Sequence, residues 1–166
     1  LQRIVGNIPK DLDVRCFHED ANGKIFIGTE QGVYSYNNHR WTKEDSINQL
    51  LTGTNIRCII RDLEGNLWIA NTGLDILSPS YKRIQSFTQN NGFPSNAINH
   101  LFKDSKNRIW VASRNGLILF EKGIQTDQFQ HFNMEEKLNN SEVRAIQEDF
   151  KGNIWISTNG GISLFN

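Results

Sequence analysis

The side chains that chemistry would use first in this 166-residue chain are four histidines, two cysteines and a set of position-matched arginines. The histidines are His18, His39, His100 and His131, and no pair has metal-ligand spacing. His18 and His100 share a strand type, so a metal between them needs both rings to point into one channel; no metal site is expected. Cys16 and Cys58 are too few for a disulfide framework or a zinc site and read as small buried apolar side chains. No Gly-rich phosphate loop or Gly-x-Ser-x-Gly elbow occurs, and no two acids stand out as acid and nucleophile. Its Asp-x-x-Gly turns lack the later acidic ligands of a calcium loop. These residues predict binding and not catalysis, with no cofactor.

Binding chemistry has better candidates. Arg15, Arg57, Asn99 and Arg144 occupy one column, at steps of 42, 42 and 45 residues. Guanidinium forks suit carboxylates, sulfates and paired hydroxyls. Asn71, Arg114, Asn115 and Asn159 lie on turns expected at the same end of the molecule, and these turns vary from copy to copy. These eight residues are the candidate ligand site. In the competing reading the arginines pair with nearby carboxylates such as Glu19, Glu142 and Glu148.

Bulk composition narrows the partners. Eighteen Lys and Arg balance eighteen Asp and Glu, so no general attraction to nucleic acid or an anionic membrane is expected. No apolar run approaches the ~18 residues that span a bilayer, which predicts no membrane insertion by this segment. The opening stretch "LQRIVGNIPK" is neither a signal peptide nor an amphipathic anchor, and the chain reads as a piece of something longer.

The elements that carry these residues repeat. "DANGKIFIGTEQG", "DLEGNLWIANTG", "DSKNRIWVASRNG" and "DFKGNIWISTNGG" start at Asp20, Asp62, Asp104 and Asp149. Gly23, Gly65, Asn107 and Gly152 keep the same offsets, and so do Phe26, Trp68, Trp110 and Trp155. Within each unit, an apolar strand (A) leads through the Asp-x-x-Gly turn to an aromatic, β-branched strand (B). A glycine turn gives strand C, and a fourth strand (D) follows. Helical periodicity is absent. Four-stranded units of this length are blades of an all-β propeller, in which the aromatic column fills the core between blades and the acids satisfy their own turns. The blades are expected at 13–54, 55–95, 96–140 and 141–166. Residues 1–12 would supply a D strand closing the last blade, or the tail of a preceding one. A-to-B and C-to-D turns should form one rim, and B-to-C and D-to-A turns the other.

The pattern Asp-x-x-Gly-x-Leu/Ile-Trp-Ile/Val-small-Thr-x-x-Gly-Ile/Leu resembles the two-component regulator propeller repeat. "DFKGNIWISTNGGI" is a close match, "DLEGNLWIANTGL" is one residue short, and Phe26 and Asn107 depart from the pattern. "FTQNNGFPSNAINHLFKD" is similar to that family's blade junction. The resemblance implies a periplasmic sensor segment of a hybrid two-component histidine kinase. Its expected partners are an oligosaccharide derived from a glycan and the remaining blades and output domains of the parent sensor. The alternative is a propeller scaffold for protein association or homo-oligomers, with no small ligand.

Overall fold

In the computed structural model, which describes residues 11–124, 128–135 and 138–166, the four units fold as four antiparallel sheets. The first holds β1 (Val14–Glu19), β2 (Ile25–Thr29), β3 (Gly32–Asn37) and β4 (Arg40–Lys43). Its successor holds β5 (Cys58–Arg61), β6 (Leu67–Ala70), β7 (Leu74–Leu77) and β8 (Arg83–Phe87). The third holds β9 (Ile98–Lys103), β10 (Ile109–Ser113), β11 (Gly116–Phe120) and β12 (Gln130–Phe132). Among the described residues the fourth has three strands, β13 (Val143–Glu148), β14 (Ile154–Thr158) and β15 (Gly161–Phe165). Residues 1–10 of the expected closing strand lie outside the described residues, and Asp11 and Leu12 are not in a strand.

Local chemistry explains each meander. At Gly23, Gly65, Asn107 and Gly152 the backbone takes φ of +78°, +82°, +60° and +83°, the left-handed region that glycine enters freely and asparagine tolerates. That turn reverses the chain between the first and second strand of every sheet. Two short helical pieces were not expected, α1 (Asp45–Asn48) and a 3-10 turn at Gln89–Asn91. Each is about one turn long, too short for a periodic apolar pattern to show.

The sheets pack face to face in chain order. β1 lies beside β5, β5 beside β9 and β9 beside β13, which makes these the inner strands. Three apolar clusters fill the gaps. Phe26 and Val33 meet Ile59, Leu67 and Ile69; Trp68 and Ile76 meet Leu101, Ile109 and Phe120; Trp110 and Leu119 meet Ile146, Ile154 and Ile156. Phe26, Trp68 and Trp110 thus each face the next sheet. Trp68 sets its ring at 5.1 Å from Phe120, and Trp110 repeats that distance to Phe165.

The fourth member of the column corrects the expectation of a uniform core. Phe26, Trp68 and Trp110 are fully buried, but Trp155 is 44% exposed. No sheet follows the fourth among the described residues, so nothing there covers its outer face.

Candidate ligand-binding rim

The two rims differ in how their polar groups are spent. On the A–B rim three of the four turn acids are consumed by their own blades. Asp62 accepts the Asn66 backbone N–H at 2.7 Å on one oxygen, and the Trp68 Nε1–H at 2.8 Å on the other. Asp104 accepts from the Lys106 and Arg108 backbones at 3.0 and 2.8 Å and from Trp110 Nε1 at 2.8 Å. Asp149 does the same with Lys151, Asn153 and Trp155, the last at 2.9 Å. Burial alone would raise the Asp104 carboxyl, but the bonds from Trp110 and Arg108 outweigh it and hold the group below its ordinary range. The Trp155 and Asn153 donors bring Asp149 down to about 2. This acid-to-indole bond across six residues was missed in the sequence, although both columns were in view.

Asp20 shows the rule by breaking it. Its partner in the column is Phe26, which has no N–H to give. Arg61 of the next blade takes the vacant carboxylate through Nε and, at 3.0 Å, through Nη2, while its Nη1 donates to the Gly65 carbonyl at 2.5 Å. The guanidinium also lies 5.5 Å from the Phe26 ring centre. One aromatic substitution thus converts a bond within a blade into an ion pair between blades.

The opposite rim is framed by backbone. The Glu30 N–H donates to Asp13 at 3.2 Å, Gly116 to Ser141 at 2.7 Å and Asn159 to Glu142 at 3.1 Å, which ties three of the four B–C turns to a connection that opens a blade. Thr29, Ser113 and Thr158 close these turns by donating to Gly32, Gly116 and Gly161 at 2.7, 2.8 and 3.0 Å. Over this frame lie side chains that change from blade to blade.

The structure gathers some candidate residues and separates others. Glu142 collects Arg144 at 3.1 Å, Arg114 at 3.7 Å and the Asn159 amide at 2.7 Å, while Arg144 Nε donates to Asn159 at 2.8 Å. Arg15 pairs with Asp13 at 2.9 Å. Asn99 reaches across to the Val143 carbonyl at 2.7 Å, and Asn115 donates to the Pro94 carbonyl at 3.1 Å. Glu148 takes the backbone and hydroxyl of Ser105 at 2.7 and 2.6 Å, and not an arginine. Arg57 is exposed, and among the described residues its guanidinium has no side-chain partner.

Asn71 needs correction. It aligns with Thr29, Ser113 and Thr158, the turn-closing column, and is only 4% exposed. Its amide donates to Asp75 at 2.7 Å and its carbonyl accepts from Thr52 at 2.9 Å, so it faces the interior between blades and not a ligand. Asp75, itself fully buried, is held by Thr52, Asn71 and Ser86, with no cation paired to it among the described residues.

The inner strands are stitched by residues at matched positions, Cys58 and His100. The Cys58 thiol lies 3.8 Å from the Leu101 carbonyl, and His100 Nδ1 accepts the Ile146 N–H at 3.3 Å. Burial, and then the neighbouring Cys58, push the Cys16 thiol up to about 12, and burial raises Cys58 as well. Both thiols stay protonated near neutral pH and unreactive. Burial lowers the His100 imidazole from its ordinary value. Among the described residues no three His, Cys, Asp or Glu side chains converge where a metal could sit.

Four meandering sheets packed face to face around shared inner strands define a β-propeller segment. Two stretches of the chain, residues 92–115 and 137–160, match the two-component regulator propeller family. The extracellular domain of a B. thetaiotaomicron protein described as a hybrid two component system superposes with a TM-score of 0.89 at 38% identity, over 97% of this chain and 23% of that one. Another extracellular domain from the same organism, described as a one component system, gives 0.77 at 20% identity over 92% of this chain and 23% of that one. Virginiamycin B lyase from Staphylococcus aureus shares the fold alone, with a TM-score of 0.69 and 14% identity over 98% of this chain and 58% of that one. A search of curated proteins finds no match. The chain therefore spans about a quarter of the extracellular domains it resembles. No helix among the described residues is long and apolar enough to cross a membrane.

Proposed function

We propose that this chain is part of the periplasmic sensor of a hybrid two-component histidine kinase, and that it takes an oligosaccharide on the rim formed by the B–C turns and the blade-opening connections. The observation that carries this reading is the contrast in commitment. The turn acids of the other rim are spent on backbone, tryptophan or Arg61, whereas here Arg57 presents a guanidinium that no described side chain holds. Arg15, Asn99 and Arg144 stand at matched places on the neighbouring inner strands. A guanidinium beside amides and carboxylates suits the paired hydroxyls or the acid group of a sugar. The family and the 38% identical extracellular domain support a sensing role, and the relay to a kinase belongs to parts beyond this segment. Catalysis is not part of the proposal: the buried thiols are protonated, and structural donors hold Asp104 and Asp149 ionised.

The test is a thermal-shift screen of the chain against neutral, uronate-containing and sulfated oligosaccharides, with Arg57→Ala alongside. The reading predicts that at least one class raises the melting temperature of the wild type, and that the variant loses most of that rise while keeping its own unliganded stability. An absence of any shift across all three classes would contradict it.

A further inference from the structure

An asparagine followed by glycine can be attacked by its own backbone, because glycine has no side chain to block the approach. The chain holds four such pairs: Asn22–Gly23, Asn91–Gly92, Asn115–Gly116 and Asn159–Gly160. In that reaction the lone pair of the glycine nitrogen forms a bond to the asparagine Cγ. The Cγ–Nδ2 bond breaks, and the nitrogen departs as ammonia with the proton that the glycine nitrogen gives up. Water then opens the cyclic imide to aspartate or isoaspartate. The step needs a nucleophilic N–H that can leave its partner, a polarised carbonyl and a route for the proton.

Three of the four pairs bind the nucleophile into the backbone. The Gly23 N–H donates to the Asp20 carbonyl at 2.9 Å, Gly92 to Gln89 at 3.3 Å and Gly116 to Ser141 at 2.7 Å. Attack there would open a turn or cut the tie between two blades. The Gly160 N–H donates instead to the Thr158 hydroxyl at 3.1 Å, a side-chain cap that can rotate away while the backbone turn stays closed.

The side chain of Asn159 is also held differently. Arg144 Nε donates to its Oδ1 at 2.8 Å, on the oxygen where negative charge gathers as the tetrahedral intermediate forms. Glu142 accepts from its Nδ2 at 2.7 Å, which places a carboxylate on the leaving nitrogen. The other three have no such pair. Asn22 accepts the Lys24 backbone N–H at 3.0 Å, Asn91 bonds the Thr88 N–H and the Ser86 carbonyl at 2.8 and 2.6 Å, and Asn115 donates to the Pro94 carbonyl at 3.1 Å.

We propose that Asn159 is a modification site at which the chain deamidates itself: the Gly160 nitrogen attacks Cγ, Arg144 stabilises the oxyanion, and Glu142 passes the proton from the Gly160 nitrogen to Nδ2. Charge favours the product. Glu142 alone serves two guanidiniums, Arg144 at 3.1 Å and Arg114 at 3.7 Å, and a carboxylate formed at position 159 supplies the second acid. The reaction turns this corner of the rim from cationic to neutral. It proceeds whether or not the rim holds a sugar.

Peptide mapping by mass spectrometry tests this on the intact chain, kept near neutral pH and sampled over time. The mass gain of amide to acid is followed at all four pairs. The same chain unfolded in urea gives each pair its rate without the fold. Relative to its own unfolded rate, Asn159 should react at least about tenfold faster than each of the other three. Arg144→Gln and Glu142→Gln should each remove most of that lead, with circular dichroism checking that the fold is kept. A folded chain in which Asn159 has no lead overturns the inference, as does a lead that survives either substitution.

Discussion

The A–B rim and the B–C rim are built from the same four repeats, yet they use their polar groups in opposite ways. On the A–B rim Asp62, Asp104 and Asp149 repeat one arrangement to within 0.1 Å in the indole bond, 2.8, 2.8 and 2.9 Å. On the other rim the matched arginines have three different fates: Arg15 meets Asp13, Arg144 meets Glu142 and Asn159, and Arg57 meets no described side chain. Repetition of a hydrogen-bond pattern marks a structural role. Divergence at an equivalent position marks a surface free to be used for something else.

Substitutions can break this contrast. Trp110→Ala should have the largest effect, a loss of about 3–5 kcal/mol, since the ring is fully buried between blades; urea unfolding measures it. Asp104→Ala follows at about 2–3 kcal/mol, because it leaves the buried Trp110 Nε1–H and two turn N–H groups without an acceptor. Arg61→Ala should cost about 1–2 kcal/mol, through the unpaired Asp20 and Gly65 carbonyl, and Arg61→Lys should restore only part, since an ammonium cannot replace the fork.

Acid sharpens the picture at the inner strands. Burial depresses His100, so near its ordinary pKa of 6.5 the folded chain binds fewer protons than the unfolded one. Its contribution to stability is full above that value and is lost as pH falls through the lower folded value. Thermal melts between pH 7 and pH 5 should show this loss, and His100→Gln should flatten it. At the small end, Arg57→Ala should change stability by less than about 0.5 kcal/mol.

Much of this was legible in the sequence. Four copies of Asp, Gly or Asn, and an aromatic at fixed offsets gave the turn, the strand and the burial of Phe26, Trp68 and Trp110. What escaped depends on neighbours. Trp155 carries the same local signal as Trp110, and only the absence of a following sheet among the described residues exposes it. The Asp20–Arg61 pair arises because Phe26 lacks an N–H, a consequence visible only once the indole bonds of the other blades are known. Asn71 looked like a rim residue because amides are common there, but it falls in the turn-closing column of Thr29, Ser113 and Thr158 and faces inward toward Asp75. The arginine column was evident from spacing; which of its members were already paired was not, since Asp13 and Glu142 lie on connections of variable length.

The most direct test of the division between rims compares two exposed cations, one on each. Isothermal titration should be run with the oligosaccharide giving the largest thermal shift, on wild type, Arg57→Ala and Lys106→Ala, the last on the A–B rim. The account predicts at least about tenfold weaker binding for Arg57→Ala, as expected when a charged hydrogen-bonding partner of the ligand is lost, and unchanged binding for Lys106→Ala. Full affinity in Arg57→Ala, or a loss confined to Lys106→Ala, would contradict it.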